Sequence, residues 1–96
     1  MFRHIVLYRL GTAHKEKAAL LCQRFRSMKE KIPQIVEIEA GTDTERTPRS
    51  FDLSLSILFQ NREDYLQYRK HPYHQEEIAP VVHSITGTSV SCDFEA

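Results

Sequence analysis

The chain has 96 residues, 41% of them hydrophobic, and its 13 basic and 13 acidic side chains cancel to a formal net charge of zero. A chain of this size can bury one small core, so residues 1–96 are expected to form a single domain. Neither charge sign forms a long run, and the sequence therefore gives no indication of the basic surface that nucleic-acid binding requires.

Membrane association and disulfide bonding are also not indicated. No apolar run approaches the length of a membrane span, and residues 1–10 contain charges that the apolar segment of a signal peptide lacks. We therefore expect a cytoplasmic protein. Cys22 and Cys92 lie among apolar residues at helical or strand spacing, which predicts two buried, reduced thiols rather than a disulfide.

The first half of the chain shows the periods of a strand, a helix and a second strand. Residues 2–10 alternate, with apolar side chains on both faces. Residues 14–31 carry an apolar stripe at three- and four-residue steps, which predicts an amphipathic helix. Residues 34–41 alternate again, and the polar residues 42–50 are expected to form a connecting loop, either a mobile flap or a solvated turn.

The second half predicts a strand, a broken helix and a last strand. Residues 51–59 alternate more regularly than any other segment. Asn61 has the character of a helix N-cap, and this helix must stop near Lys70 because Pro72 cannot continue it. A further helical segment restarts at Pro72, and residues 88–95 alternate as a fourth strand.

This order predicts an α+β, ferredoxin-like βαββαβ subunit whose helices cover one face of a four-stranded antiparallel sheet. The other face needs a cover, because the first strand is apolar on both sides: either His4, Val6 and Tyr8, or Ile5 and Leu7, lie on it. A symmetric homodimer would bury that face between two sheets. A charge in place of Val6 is then expected to weaken assembly.

Residues 65–74 carry the greatest concentration of chemically active side chains. His74 is expected in the first turn of the restarted helix, where unpaired N–H groups create a positive potential that favours a neutral, basic imidazole. His71 precedes Pro72, where capping or packing is the favoured role. His71 and His74 lack further ligands at a recognisable spacing, so no metal site is predicted.

These features resemble a known family, the stress-responsive dimeric alpha/beta barrel (Dabb) domains. The resemblance covers essentially the whole chain. It implies a ferredoxin-like subunit and a homodimer in which two sheets form a barrel with a cavity. Most members of that family have no established reaction, and some plant members are polyketide cyclases. The segments that carry the resemblance are residues 4–8, 31–33, 41, 52–53, 65–74 and 90–94.

The resemblance to the cyclases also implies site residues. Their pocket uses a histidine of the first strand, a tyrosine of the helix before the His-Pro element, and the second histidine of that element; His4, Tyr68 and His74 occupy these positions. Cyclisation needs a base beside a carbonyl and a donor for the developing oxyanion, which suits His74 and Tyr68 respectively. His4 is equally well explained as a structural histidine satisfied by a neighbour.

Two functions remain open. The preferred hypothesis is a domain of unassigned activity that binds a small apolar or aromatic compound in the barrel cavity. The alternative is a cofactor-free enzyme, similar to a polyketide cyclase, an isomerase or a monooxygenase, with His74 as general base. Neither hypothesis calls for a metal, another cofactor, a nucleic acid or a membrane partner. The same apolar cavity serves both.

Overall fold

The computed structural model describes residues 1–96, and all the predicted strands and helices are present within a few residues of their expected bounds. A 3₁₀ turn, Thr12–Lys17, precedes the first α-helix, and a π-helical turn, Tyr73–Ile78, follows the second. None of the helices combines the length and the hydropathy that crossing a bilayer requires. The elements are β1 (Phe2–Leu10), α1 (Ala18–Lys31), β2 (Ile35–Thr42), β3 (Leu53–Phe59), α2 (Arg62–Lys70), α3 (Ala79–Ile85) and β4 (Thr86–Glu95).

The four strands form one antiparallel sheet in the order β2-β3-β1-β4, which confirms the ferredoxin-like topology. β1 is an inner strand that pairs with β3 on one side and β4 on the other. His4 is opposite Ile57 of β3 and Asp93 of β4. Since directly opposite residues of neighbouring strands project to the same side, His4 and Asp93 lie on the same face of the sheet. That face is the one on which the helices pack.

The core lies between this face and the helices. Val6 is only 7% exposed and belongs to the same buried cluster as Leu55 of β3 and Phe25 of α1. The expectation that a charge at Val6 would act on assembly is therefore wrong, because Val6 is on the helix side. A charge there would disrupt the core of the subunit itself.

The opposite face of the sheet is uncovered in the subunit and carries apolar side chains. Leu7, Val90 and Phe94 are 39%, 49% and 43% exposed. Cys92, opposite Ile5, shares this face and is exposed, so the expectation of a buried thiol holds for Cys22 but is wrong for Cys92 in the subunit. Cys22 lies in the core on the helix side, and the sheet separates the two thiols.

The helix break near Pro72 has the expected form. The Asp64 N–H donates to Asn61 Oδ1 at 2.8 Å, which caps α2. His71 ends α2, and its Nδ1 accepts the Tyr73 N–H at 3.1 Å, the capping role favoured for it. The π-helical turn that follows runs directly into α3, so the chain after Pro72 is one irregular helix that changes direction from α2.

The loop between β2 and β3 is held by local hydrogen bonds and by Asp52, the one buried charged residue. The Arg46 N–H donates to Asp43 Oδ2 at 2.7 Å, an arrangement typical of a turn rather than of a flap. Asp52 Oδ2 accepts the Leu10 N–H at 2.7 Å and Lys15 Nζ at 2.8 Å. Asp52 therefore ties the loop to the end of β1 and the 3₁₀ turn.

Asp52→Asn is expected to lower the free energy of unfolding by about 1–3 kcal/mol, because it removes the charge from one buried and one partly buried hydrogen bond. Burial raises the pKa of Asp52, but the Lys15 and Leu10 hydrogen bonds and the charges of Lys15 and Arg46 outweigh it and hold the pKa below its usual value. A carboxylate with a lowered pKa stabilises the fold at neutral pH and loses that contribution as the pH falls through the lowered value.

Denaturant unfolding across pH checks this expectation. The difference in the free energy of unfolding between wild type and Asp52→Asn should be largest at pH 7 and should disappear on acidification below about pH 4. Glu45→Gln removes an exposed carboxylate from the same loop that makes no ion pair and serves as the control. A gap of the same size at pH 7 and at low pH would contradict the role of the Asp52 charge.

Candidate functional site

His4, Tyr68 and His74 line one cleft on the helix side of the sheet. His4 comes from the centre of β1, Tyr68 from the last turns of α2 and His74 from the π-helical turn, and the cleft has a volume of about 420 Å³. The cleft therefore lies inside one subunit. The three side chains are on the covered face, so they do not face the space between two sheets, where the barrel cavity of a dimer was expected.

Space for the cleft exists because β4 is an edge strand with small or polar side chains on its helix-facing side. Ser89, Ser91 and Asp93 lie opposite Tyr8, Val6 and His4 and line the cleft. The helices pack over the other three strands instead. The gap above β4 is thus left open by the side chains of β4 itself.

A second lobe of about 350 Å³ continues from the cleft toward α1 and the start of β4. The two lobes share Val6, Tyr8, Tyr68, His74 and Ser89 as lining residues. The second lobe is mostly apolar, and its far end is formed by side chains of α1 and α3. The shared lining makes Tyr68 and His74 accessible from both lobes.

His4 is hydrogen-bonded to Asp93, a residue that the sequence did not mark as part of a site. His4 Nδ1 and Asp93 Oδ1 are 2.6 Å apart. An ionised carboxylate only accepts hydrogen bonds, so Nδ1 carries the proton and Nε2 of the neutral ring keeps its lone pair. Asp93 was missed because only the register between β1 and β4 brings it to His4.

Tyr68 lies between the two histidines. Its ring centroid is 6.0 Å from that of His4 and 4.6 Å from that of His74. Burial raises the pKa of Tyr68 far above the usual range of a phenol. Tyr68 is therefore a hydrogen-bond donor at every physiological pH, as its expected role requires.

His74 is half-buried, and its Nδ1 is buried with no hydrogen-bond partner. Burial lowers the pKa of His74. An interaction with the Arg69 backbone opposes this, the nearby charges of His4, Arg69 and His71 add to it, and the pKa stays below its usual value. The direction agrees with the sequence-based expectation, but the main physical cause is desolvation rather than the start of a helix. The imidazole is neutral at pH 7 and available as a base.

The other histidines lie differently. His71 is occupied by its cap and does not line the cleft. His83 of α3 lines the second lobe, which the sequence did not indicate. Nowhere in the chain do three or more His, Cys, Asp or Glu side chains come together in a way that could hold a metal ion.

Comparison with known proteins places the chain in a family. The model of the "Stress responsive A/B Barrel Domain" matches residues 2–96, nearly the whole sequence. The chain belongs to the stress-responsive A/B barrel domain family. No match is found among curated proteins.

Solved structures share the fold of this A/B barrel domain at low sequence identity. A dimeric protein of unknown function from Bacteroides fragilis has a TM-score of 0.83 at 23% identity, over 99% of this chain and 95% of the other. A dimeric ferredoxin-like protein from Thermobifida fusca has 0.85 at 18%, over 99% and 90%. A hydroxynitrile lyase from Passiflora edulis has 0.82 at 18%, over 97% and 90%. At these identities the likeness concerns the fold alone.

Proposed function

We propose that this A/B barrel domain binds a small apolar or aromatic compound in the cleft of each subunit. The observation that carries the proposal is the pair of adjoining spaces: the second lobe is walled mainly by apolar side chains, and the open cleft beside it places aromatic rings among polar side chains. Such a composition is typical of small-molecule sites. Aromatic rings of the ligand can pack against Tyr65, Tyr68 and the imidazole of His4.

We further propose acid–base catalysis without a cofactor as a second candidate function, favoured by the pairing of His4 with Asp93 beside an unpartnered His74. Binding an apolar compound does not require two imidazoles and a protonated phenol around the same space. His74 is the proposed base that removes a proton next to a carbonyl, and Tyr68 donates to the oxyanion that develops. His4, held by Asp93, presents the Nε2 lone pair and can orient the compound by accepting a hydrogen bond from its hydroxyl or enol group.

Proton transfers of this kind suit cyclisation, isomerisation and lyase reactions. In each, the base removes a proton, either from a carbon next to a carbonyl or from a hydroxyl group. The same proton is then returned to the product. The Passiflora edulis structure is described as a hydroxynitrile lyase, which supports the view that this fold can accommodate lyase chemistry.

A compound screen tests both proposals. Aromatic and polyketide-like compounds are added to the protein, binding is detected by thermal shift, and the mixtures are analysed for products. Chemical-shift changes of the His4 and His74 imidazoles locate the bound compound in the cleft. Binding without any conversion would retire the catalytic candidate, and no binding across the collection would retire both.

We also propose that the uncovered face of the sheet is the interface of a homodimer. Two of the similar structures are described as dimeric. In this chain Ile5, Leu7, Val90 and Phe94 form an apolar patch on that face, which a monomer would leave in water. Because the cleft is on the other side of the sheet, each subunit would keep its own cleft in the dimer.

Leu7→Glu is expected to convert a dimer into folded monomers. It places a charge in an apolar interface, which makes the free energy of association less favourable by several kcal/mol. Light scattering and sedimentation over micromolar dilution measure the change. Leu20→Glu is the matched control, since Leu20 is 47% exposed, close to the 39% of Leu7, but lies on α1. A wild-type monomer, or dissociation of both variants alike, would refute the proposed interface.

A further inference from the structure

A third opening borders His74. It lies between α2 and the irregular helix after Pro72 and has a volume of about 440 Å³. Arg69 and Lys70 form its α2 side, and Gln75 and His83 form the other. His74 and Arg69 line both this opening and the cleft, so the two spaces adjoin at these side chains. We call this opening the basic mouth.

The basic mouth contains no carboxylate among its lining residues. Arg69 and Lys70 take part in none of the ion pairs of the chain, which involve His4, Lys15 and Arg46 instead. Asp93 is the one acidic residue that lines the adjoining cleft, and its Oδ1 is bonded to His4. Two permanent positive charges therefore face an entrance with no protein counter-charge.

Helix stability explains only part of this arrangement. Basic residues in the last turn of a helix interact favourably with its dipole, and this applies to Arg69 and Lys70. It does not explain why His83 of α3 faces them across the mouth. Nor does it explain the position of Arg69, which lines both the mouth and the cleft and lies 5.9 Å from the Tyr65 ring centroid.

We infer that the cleft takes an organic anion, an aromatic carboxylate whose ring lies among Tyr65, Tyr68 and His74 and whose charged end is held at the basic mouth by Arg69. The inference rests on the proposed binding function and adds the charge of the ligand. An arginine guanidinium matches a carboxylate with two parallel hydrogen bonds, and Lys70 adds a second charge. Neutral ligands of the same shape would leave the mouth without its counter-ion.

The test compares 2-naphthoate with 2-naphthamide, which have nearly the same shape and differ in charge. Their affinities are measured by calorimetric titration at pH 8, and the signals of the His4 imidazole, which lines the cleft alone, confirm that each compound occupies the cleft. Naphthoate is expected to bind about tenfold more tightly at an ionic strength of about 0.01 M. The preference should shrink at about 0.15 M, since the mouth is open to solvent.

Arg69→Gln is expected to abolish the preference, so that the ratio of the two affinities falls to about one. Lys70→Gln should reduce the preference in part and gives a second measurement. Arg62→Gln removes an exposed arginine from the same helix that lines none of these spaces, and should keep the full preference. A role of Arg69 in helix stability alone would lower the melting temperature without changing the ratio of the two affinities.

The outcomes separate this inference from the proposed function. Equal affinities of the two compounds in the wild type would overturn the anionic ligand and leave small-molecule binding in place. A preference that survives Arg69→Gln would also overturn the inference. Binding of neither compound, together with a failed compound screen, would overturn both proposals.

Discussion

His74→Ala is expected to lower the turnover of a compound converted in the cleft by about a hundred- to ten-thousandfold, the usual contribution of a general base. Ligand affinity should change by less than about tenfold, because a base acts mainly in the transition state. Single-turnover rates and dissociation constants measured on the same variant distinguish the two effects. A protein that only binds would lose about 1 kcal/mol of affinity, the contribution of one hydrogen bond, and no chemistry.

Two further measurements isolate the base function of His74. His74→Gln keeps a polar side chain of similar reach but cannot accept and return the proton, so it should be as impaired as the Ala variant. Because burial lowers the pKa of His74, the wild-type rate should stay constant down to below the usual histidine range and then fall with further acidification. Conversion unaffected by either substitution would remove His74 from the mechanism.

Asp93→Asn is expected to reduce turnover by roughly a hundred- to ten-thousandfold, although the substitution changes very few atoms. The carboxylate accepts from His4 Nδ1 at 2.6 Å and so keeps the lone pair of the neutral ring on Nε2. An asparagine can donate its amide hydrogen to Nδ1, which stabilises the opposite tautomer with the proton on Nε2. His4 would then present a donor to the ligand where the wild type presents an acceptor.

A double-mutant cycle checks that Asp93 acts through His4. His4→Ala combined with Asp93→Asn should be no slower than His4→Ala alone, because Asp93 has nothing left to orient. The tautomer is measured directly from the ¹⁵N shifts of the His4 ring. Ser91→Ala changes a neighbouring lining residue and should affect the tautomer little. Additive losses in the cycle would show that Asp93 acts on its own.

The order of strands and helices could be predicted because its signals are local. The alternation of residues 51–59 and the apolar stripe of residues 14–31 each require a single segment to bury one side. The cap at Asn61 and the break at Pro72 depend on backbone groups within a turn, and both are confirmed. Such features do not depend on which distant segment packs against them.

The faces of the sheet could not be predicted in the same way. In β1 the residues Val6 and Leu7 are equally apolar, so hydropathy does not tell the core side from the open side. In β4 the apolar side chain of Cys92 was expected inside, yet it lies on the open face. The assignment follows from a non-local fact, that the polar row of β4 borders the cleft on the helix side of the sheet.

The three candidate site residues were brought together by the fold, while their partners could not be read from the sequence. His4, Tyr68 and His74 line one cleft, and their roles in it stay predictions. Asp93 is 89 positions from His4, and only the strand register pairs them. The sequence indicated only that Arg69 belongs to a helix. The direction of its side chain relative to the irregular helix after Pro72 depends on tertiary packing.

Strand β4 gives the family a way to diversify. Its positions 89, 91 and 93 border the cleft, and none of them belongs to the buried core cluster. Its positions 90, 92 and 94 lie on the proposed interface. Since neighbouring residues of one strand face opposite sides, a lineage can alter which compounds enter the cleft through the first set and keep its assembly through the second. If the proposed binding and the proposed dimer are correct, ligand preference and quaternary structure can evolve separately within ten residues of sequence.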